Sequence, residues 1–318
     1  MDVPLPFPRE QAARLPAGPG VYRFRDAAGH VLYLGRAVSL RRRVASYWGD
    51  LGDRGHLAAM VARIARVEAV VCDSAHEAAW LERNLLQRRK PPWNRSPDGG
   101  QEAEVWIRLS GSGLRVVYRP SPGDFGPYLG GRKVRDAVSG LRRVLPLGPA
   151  ADWAADWAAD RAVPRSAGSE RELARARGAL SDASGAAPAD RASLVRAAEA
   201  VLDRDPAAVA ALRAALAARR DAAAARLGFE FAARVQAELE ALDWIAAEQK
   251  VTRAQPSDLD VHGWADGVLV CFEVRRGRLS GWSQRACGAA AARRHLDQTP
   301  PAWAGFARRS AELAARLR

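Results

Sequence analysis

Two tyrosines and a group of arginines occupy one short stretch of the sequence, GVYRFRDAAGHVLYLGRAVSLRRRVASYW. Tyr22 and Tyr33 each lie close to a glycine. The residues after Tyr33 include several guanidinium side chains: Arg36, Arg41, Arg42 and Arg43. A phenol near cations can act as a general base, and a guanidinium binds phosphate oxygens through paired hydrogen bonds. These residue types therefore indicate chemistry at a phosphate group.

A carboxylate lies on the apolar side of a helix predicted over residues 75–90. At about 100° per residue, Glu82 falls inside the arc formed by the apolar positions Ala78, Leu81, Leu85 and Leu86. Burying an unpaired anion is costly, so this carboxyl group must be protonated, paired with a cation such as Arg43, or bound to a metal. The small residues one turn before it leave room for a hydrated ion, and oxygen ligands with retained waters suit Mg²⁺ or Mn²⁺.

The composition is that of a chain able to form ordinary hydrophobic cores. With 318 residues and 48% hydrophobic content, it has room for one large domain or a few small ones. It lacks both an apolar run of about 20 residues and a charged-then-apolar N-terminus, so the sequence predicts neither a membrane span nor a signal peptide. The cysteines argue against a disulfide framework because they are few and far apart: Cys72, Cys271 and Cys287. A cytoplasmic location is expected.

The charge balance points to a polyanionic partner. The formal net charge is +13 and the pI is about 10.7, which makes nucleic acid the first expectation and an anionic membrane the second. Nearly all the basic residues are arginine, amid heavy alanine use, and this bias is typical of GC-rich genomes. Total charge therefore carries only modest weight, and the position of the charges matters more.

The tyrosine-containing stretch is expected to form a β-hairpin followed by a helix. Residues 20–26 and 31–37 are predicted strands, joined by a polar loop that ends in glycine. If Arg25 pairs with His30, Tyr22 faces Tyr33 across the ladder and both phenols lie on one face of the sheet. Further elements are a helix that begins after Ser39, a helix over 56–66, a strand over 67–72 and the helix over 75–90.

Five sequence elements resemble the core of the GIY-YIG nucleases, and they occur in order over residues 16–94: Gly20-Val21-Tyr22, Tyr33-Leu34-Gly35, Arg43, Glu82 and Asn94. The surrounding residues look like the N-terminal nuclease domain of UvrC, the incision subunit of bacterial nucleotide excision repair. Farther along, FGPYLGGRKVRDAVSGLRRVLPL is similar to the segment that follows that domain. LGFEFAARVQAELEAL resembles the helical UVR motif that contacts UvrB, and DLDVHGWADGVLVCFEVRRGRLSG is similar to the region beyond it.

With this resemblance, the expected fold is α+β and multi-domain. Residues 1–97 are expected to form a small mixed α/β GIY-YIG domain with a three-stranded sheet, and residues 98–148 a small strand and helix unit. Residues 149–190, with the near-repeat ADWAADWAADRA, read as a linker or insertion. Residues 191–250 are expected to form a helical UVR-like hairpin with a break at Gly228, and residues 251–318 a strand meander with a terminal helix.

Three departures from the family pattern limit the expected activity. The cysteine-free ADWAADWAADRA stretch stands where UvrC usually carries four cysteines, so no iron–sulfur cluster is expected. Arg36 stands where UvrC commonly has lysine, and an arginine holds a phosphate but does not readily give up a proton. The sequence ends at Arg318, before the second, ribonuclease-H-like nuclease of full UvrC, so a single incision is expected.

The resemblance and the side-chain chemistry together assign candidate roles. The catalytic candidates are Tyr22, Tyr33, Arg43, Glu82 and Asn94, with Glu82 as the metal ligand and one tyrosine as the base. The amide of Asn94 would fix the water or brace Tyr33. The side chains expected to follow DNA phosphates are Arg36, Arg41, Arg42, Arg88, Arg89 and Lys90. The expected contacts to a UvrB-like partner are Phe229, Glu230 and Arg234.

The implied function is a metal-dependent DNA endonuclease that makes one incision, 3′ to a lesion, in nucleotide excision repair. The first alternative is a UvrC-like protein that binds DNA and UvrB but has lost turnover, with Arg36 as a symptom. The second is a GIY-YIG nuclease that acts outside repair on branched DNA, without UvrB. An assay for nicking of damaged DNA that is loaded with UvrB distinguishes these hypotheses.

Overall fold

The computed structural model describes residues 7–49, 51–94, 102–110, 113–145, 147 and 191–318. These residues form ten α-helices and three antiparallel sheets of three strands each, so the predicted α+β fold is confirmed. The predicted linker at 149–190, with its near-repeat and its expected lack of a cluster, lies outside the described residues. Within them, no helix is both long and apolar enough to span a lipid bilayer.

The chain packs as two compact units. One unit contains Met1–Glu102 together with Ala247–Arg318, and the other contains Ala103–Ala246. The C-terminal segment therefore folds together with the GIY-YIG segment. The sequence predicted five consecutive segments and did not predict that the first and the last would pack together.

The first part of the first unit has the order of elements that the sequence predicts. Its elements are α1 (Phe7–Arg14), β1 (Gly20–Arg25), β2 (Val31–Ala37), α2 (Leu40–Ala45), α3 (Ala58–Val61), β3 (Arg66–Val71) and α4 (Ala75–Arg88). The strands form a sheet in the order β2-β1-β3, which makes β2 an edge strand. The helix expected over 56–66 shrinks to α3 after a 3₁₀ turn at Gly52–Leu57. It ends early because Ala65 already donates to Arg25 O at 2.8 Å, which draws the chain into the sheet.

The hairpin register differs by two residues from the predicted one. Tyr22 pairs with Gly35 and Phe24 with Tyr33, and a bulge lies between Phe24 and Arg25. The loop is also one residue longer than predicted, because Arg25 pairs with Val31 and not with His30. The bulge and the longer loop each contribute one residue to the shift. Since side chains alternate with a period of two, an even shift leaves Tyr22 and Tyr33 on the same face, as predicted.

The C-terminal part of the first unit is the predicted strand meander. It contains β7 (Leu259–Ala265), β8 (Val268–Arg275), β9 (Arg278–Ala286), α9 (Ala289–Leu296) and α10 (Pro301–Arg316). Both turns have the backbone that such tight connections require: Asp266 and Gly267 have positive φ, as do Arg276 and Gly277. Helix α10 packs on the GIY-YIG part, where Leu313 and Leu317 join the core that contains Leu15.

The second unit combines a small sheet with a helical layer. Its elements are β4 (Glu104–Ser110), β5 (Gly113–Val117), β6 (Phe125–Leu129), α5 (Gly131–Val144), α6 (Arg191–Leu202), α7 (Pro206–Ala225) and α8 (Phe229–Ala246). The α7–α8 hairpin breaks at Gly228 as predicted. An additional break before α7 arises because Asp205 caps that helix and Pro206 begins it.

Candidate functional site

Three tyrosines, rather than the two predicted, form the centre of the site. The Tyr22 and Tyr33 rings lie 6.2 Å apart between centroids, and both are about 6.0 Å from the ring of Tyr47. The Tyr22 and Tyr47 hydroxyl oxygens are 2.8 Å apart and share a hydrogen bond. Tyr47 was not among the predicted site residues. Its spacing of four residues from Arg43 was the signal that could have placed it in the site.

Gly35 allows the phenols to approach each other. A Cβ atom at this position would lie 2.6 Å from Tyr22 Oη and 2.8 Å from Tyr33 Cε1. Any larger residue would therefore push the two rings apart, so the glycine of the Tyr33-Leu34-Gly35 motif is required by packing.

Burial dominates the electrostatics of the phenols. It raises the pKa of Tyr22 well above its usual value, the neighbouring phenols add to the shift, and Arg43 only partly opposes it. Burial likewise raises the pKa of Tyr33, with smaller contributions from Tyr47 and Glu82. Without a further cation at the site, both phenols stay neutral at pH 7. The expectation that arginines would make a phenol basic is therefore not met by Arg43 alone.

Arg43 lies where the sequence placed it, beside the phenols. Its guanidinium carbon is 5.5 Å from the centroid of the Tyr47 ring, and its backbone N–H donates to Ser39 O at 3.0 Å. Burial lowers the pKa of Arg43, but the facing phenols Tyr22, Tyr47 and Tyr33 raise it by more, so the side chain stays charged. A fixed positive charge therefore faces the phenol cluster.

Glu82 forms an ion pair with Arg36, not with Arg43. Its Oε2 lies 3.2 Å from Arg36 Nε, and its Oε1 accepts from the Arg36 backbone N–H at 3.1 Å. The Glu82 side chain is 22% exposed, so the carboxylate is reachable from solvent. Burial raises the pKa of Glu82, while Arg36 and Arg43 oppose that rise. Because Arg36 covers the carboxylate, its predicted contact with DNA phosphate requires that this pair opens first.

The fully buried carboxylate of α4 is Glu77, which the sequence reading missed. Glu77 accepts from the backbone N–H groups of Asp73 at 2.7 Å and Lys250 at 2.8 Å, while its own N–H donates to Ser74 Oγ at 2.9 Å. This is a capping box, and its S-x-x-E signature was available in the sequence. Glu77 therefore has a structural role.

Asn94 lies against the strand that carries Tyr33. Its Oδ1 accepts from Leu34 N at 3.1 Å and its Nδ2 donates to Leu34 O at 2.7 Å, so the amide pairs with the backbone of edge strand β2. Trp93 N extends this pairing to Leu32 O at 3.2 Å. The amide braces the strand that carries Tyr33, which suits one of its two predicted roles, and its role in fixing the water stays a prediction.

The predicted DNA-binding side chains fall into two groups. Arg41 and Arg42 lie on α2, and Arg41 Nε also donates to Leu15 O at 2.7 Å. Arg88, Arg89 and Lys90, at the end of α4, line a separate cavity. Arg88 is moreover paired with Glu273 at 2.6 Å. The end of α4 therefore does not join the basic surface beside the phenols.

The predicted partner-binding residues lie at the start of α8, in the second unit. Phe229 is 64% exposed and the preceding Leu227 is 75% exposed, while Glu230 and Arg234 are also exposed. Large apolar side chains at this level of exposure are typical of a docking surface.

Comparison with known proteins gives a consistent result. Residues 18–95 match the UvrC-like GIY-YIG domain. The UvrABC system protein C of Symbiobacterium thermophilum is 32% identical over 86% of this chain and 44% of that protein, and that of Moorella thermoacetica is 32% identical over 80% and 41%. The chain thus spans less than half the length of these relatives.

Among solved structures, the GIY-YIG N-terminal endonuclease domain of UvrC from Thermotoga maritima, bound to its catalytic divalent cation magnesium, is 30% identical. The match covers 27% of this chain and 93% of that one, with a TM-score of 0.24. A point mutant of the same domain is 27% identical over 28% and 94%, with a TM-score of 0.26. On the family match over residues 18–95 and the sequence identity to these relatives, the chain belongs to the UvrC-like GIY-YIG family.

Proposed function

We propose that the GIY-YIG part of this chain hydrolyses a phosphodiester bond of DNA in a metal-dependent reaction. The proposed product is a single incision, 3′ to a lesion, in nucleotide excision repair. The observation that carries the proposal is the packed phenol pair Tyr22 and Tyr33, made possible by Gly35, with Arg43 on one side and Glu82 on an adjacent helix.

The carboxylate of Glu82 suits a hydrated divalent cation. The described residues contain no group of three or more His, Cys, Asp or Glu that could enclose a metal, so Glu82 would act as a lone carboxylate ligand. Mg²⁺ accepts such a site because it keeps several waters and binds through one or two carboxylates plus substrate phosphate, and Mn²⁺ is the proposed alternative. The bound ion would supply positive charge at the scissile phosphate and at the leaving oxygen.

The side chains of this protein supply the remaining functions. Tyr22 or Tyr33 would orient the attacking water and, as the phenolate that the charges of Arg43 and a bound cation together would favour, accept its proton at Oη. Tyr47 holds the Tyr22 hydroxyl through their shared hydrogen bond. Arg43 holds a nonbridging phosphate oxygen and remains charged throughout because the phenols raise its pKa.

Partners are proposed from the two exposed surfaces. DNA phosphates would lie along Arg41 and Arg42 beside the site, and along Arg36 once it leaves Glu82. A UvrB-like protein would dock on the start of α8, at Phe229, Glu230 and Arg234, because the apolar side chain there is exposed.

The decisive experiment is Glu82→Gln. We expect this variant to lose nicking of UvrB-loaded, lesion-bearing duplex in Mg²⁺, while its affinity for the same duplex changes little, since the amide cannot hold the ion as a carboxylate does. Gel-resolved nicking and fluorescence anisotropy measure the two quantities. Glu10→Gln, on the exposed carboxylate of α1, is the matched control. Undiminished nicking by Glu82→Gln would remove the proposed metal ligand.

A second candidate function rests on the Arg36–Glu82 ion pair. If that pair stays closed when Mg²⁺ and DNA are present, the protein is a DNA and UvrB binder without turnover. Binding of lesion-bearing duplex without any nicking, at every Mg²⁺ concentration, supports this candidate. Nicking of branched DNA without UvrB would instead indicate a nuclease outside repair.

A further inference from the structure

A second basic site lies on the other face of the GIY-YIG sheet. Side chains alternate along β1, so Arg23 points away from the face that carries Tyr22 and Phe24. On this opposite side lies a cavity of about 600 Å³, bounded by β1, β2, the end of α4 and strand β9. Its volume is that of an ordinary small-molecule site. As far as the described residues show, Tyr22, Tyr33 and Glu82 do not line it.

The cavity has a strong excess of positive charge. Its basic lining residues are Arg23, Arg25, Arg63, Arg88, Arg89 and Lys90. The acidic lining residues are only Asp26 and Glu273. An anion that enters this space is therefore attracted from several directions.

A single buried carboxylate pairs with three guanidinium groups, and two of them, those of Arg23 and Arg25, line the cavity. Glu68 is 2% exposed and pairs with Arg23, with Arg25 at 2.9 Å and with Arg66 at 3.6 Å. Two of the three positive charges thus remain uncompensated by Glu68. Of the three cations, Arg23 is the deeply buried one, because the side chains of Arg25 and Arg66 are 24% and 40% exposed, so a further anion would be most favourable beside Arg23.

Two buried donors at the cavity have no partner among the described residues. They are Arg23 Nη2 and Trp282 Nε1, on side chains whose residues are 7% and 6% exposed. The two groups are adjacent, because the Arg23 guanidinium carbon lies 3.8 Å from the centroid of the Trp282 ring and Arg23 Nη1 donates to Trp282 O at 2.9 Å. Buried donors are normally satisfied, so an acceptor that reached Arg23 Nη2 and Trp282 Nε1 from the cavity would satisfy both.

We propose that this cavity binds a phosphate group, whose oxygens accept from Arg23 Nη2 and Trp282 Nε1, at a site separate from the nuclease centre. Leu32, Leu34 and Pro92 give the cavity apolar walls, which suits a phosphate ester better than a bare ion. The phosphate belongs either to a free nucleotide or to a DNA strand. Both sources share the same recognition chemistry, and the test separates them.

The test uses the full chain and measures binding instead of nicking. A negative result would therefore count against this phosphate site and not against the proposed nuclease activity. Inorganic phosphate, pyrophosphate, dAMP and a short single-stranded oligonucleotide are titrated separately by calorimetry. The principal variant is Trp282→Phe, which removes one donor and keeps an aromatic ring over Arg23. Arg89→Gln removes a charge at the exposed rim. Arg213→Gln, on an exposed ion pair of α7, is the matched control.

We expect Trp282→Phe to weaken binding of the phosphate-bearing probe by about tenfold or more, because a hydrogen bond to a charged group is lost. Arg89→Gln is expected to weaken it less, and Arg213→Gln to leave it unchanged. If the small probes show this pattern, the source is a free phosphate ester; if only the oligonucleotide shows it, the source is a DNA strand. Equal binding by wild type, Trp282→Phe and Arg89→Gln for every probe, or no binding of any probe, overturns the proposal. Circular dichroism melting confirms that each variant is folded.

Discussion

Arg36 controls access to the carboxylate of Glu82. Its side chain is 45% exposed and bonds the half-buried Glu82 through both its guanidinium and its backbone N–H. An arginine at this position holds the pair with a planar donor group, and it is always charged. A cation that binds Glu82 must therefore compete with a neighbour that never loses its charge.

The Arg36→Ala substitution should lower the Mg²⁺ concentration needed for half-maximal binding. Ion pairs of this exposure contribute about 0.2–1 kcal/mol, so a decrease of about two- to fivefold is expected. Calorimetric titration with Mg²⁺ or Mn²⁺ measures it directly. Arg42→Ala, on an exposed position of α2, serves as the control. An unchanged or higher half-saturation concentration in Arg36→Ala would show that the pair does not compete with the metal.

The buried phenols make stability depend on pH in the alkaline range. Burial raises the pKa of Tyr22 above its usual value, as it does for Tyr33, so the folded protein keeps protons that the unfolded chain releases above about pH 10. Their contribution is complete below the unfolded pKa and is lost as pH rises through the folded pKa. The free energy of unfolding should therefore fall as pH rises above about 10.

The Tyr22→Phe variant tests this dependence in urea unfolding at neutral pH and above pH 10. At neutral pH it should cost about 1 kcal/mol through the lost hydrogen bond to Tyr47. Above pH 10 the difference from wild type should shrink, since phenylalanine has no proton to release. Tyr118→Phe, on a 58% exposed phenol, is the control. A difference that grows with pH would contradict the assigned burial effect.

The sheet and helices of the GIY-YIG part could be predicted from the sequence because the patterns that indicate them are local. Alternation gave β1 and β2, and Ser74 marked the start of α4, where its Oγ accepts from Glu77 N. The hairpin register was not readable, because the bulge after Phe24 depends on both strands together. The contact of Asn94 with the backbone of Leu34 could likewise not be predicted, because the two residues are 60 positions apart in sequence.

In the candidate site, too, the residue types could be predicted from the sequence but their contacts could not. The types and order of Tyr22, Tyr33, Arg43 and Glu82 were available from motifs. The partner of Glu82 required the structure, since Arg36 and Arg43 are equally reasonable partners on sequence alone. The cavity behind the sheet was not predicted, because β9 and the end of α4 meet only through tertiary packing.

Substitution of Gly35 tests how strictly β2 must carry the phenols. Gly35→Ala would place a methyl group against Tyr22 Oη and Tyr33 Cε1, at distances that real side chains do not adopt. We expect a loss of about 1–3 kcal/mol in the free energy of unfolding, together with loss of nicking because the rings separate. Gly18→Ala is the matched control, since a Cβ there meets nothing within 4 Å. Full stability of Gly35→Ala would mean that the rings can rearrange without cost.

At the scale of the whole molecule, the two ends of the sequence fold as one unit. Gln11 on α1 donates to Leu317 O at the end of α10 and accepts from Val67 N on β3 at 2.8 Å. Asn84 on α4 donates to Val251 O at 3.2 Å, and Arg309 on α10 pairs with Asp73. Except for the Gln11–Val67 contact, these contacts join residues that are more than 160 positions apart in sequence, such as Asn84 and Val251. The face that carries the phenol cluster therefore rests on a scaffold that includes the C-terminal helix.

The Leu313→Ala substitution should consequently destabilise the GIY-YIG segment although it lies near the end of the chain. Leu313 is 3% exposed and packs in the core with Ala12 and Leu15, so its truncation should cost about 2–5 kcal/mol. Hydrogen exchange should show lost protection in α1 and β3 as well as in α10, because the unit opens cooperatively. Leu216→Ala is the matched control, since Leu216 is fully buried in the core of the other unit, and it should reduce protection in α7 and α8 instead. If Leu313→Ala lost protection only within α10, the C-terminal helix would be an independent appendage and the shared scaffold would be wrong.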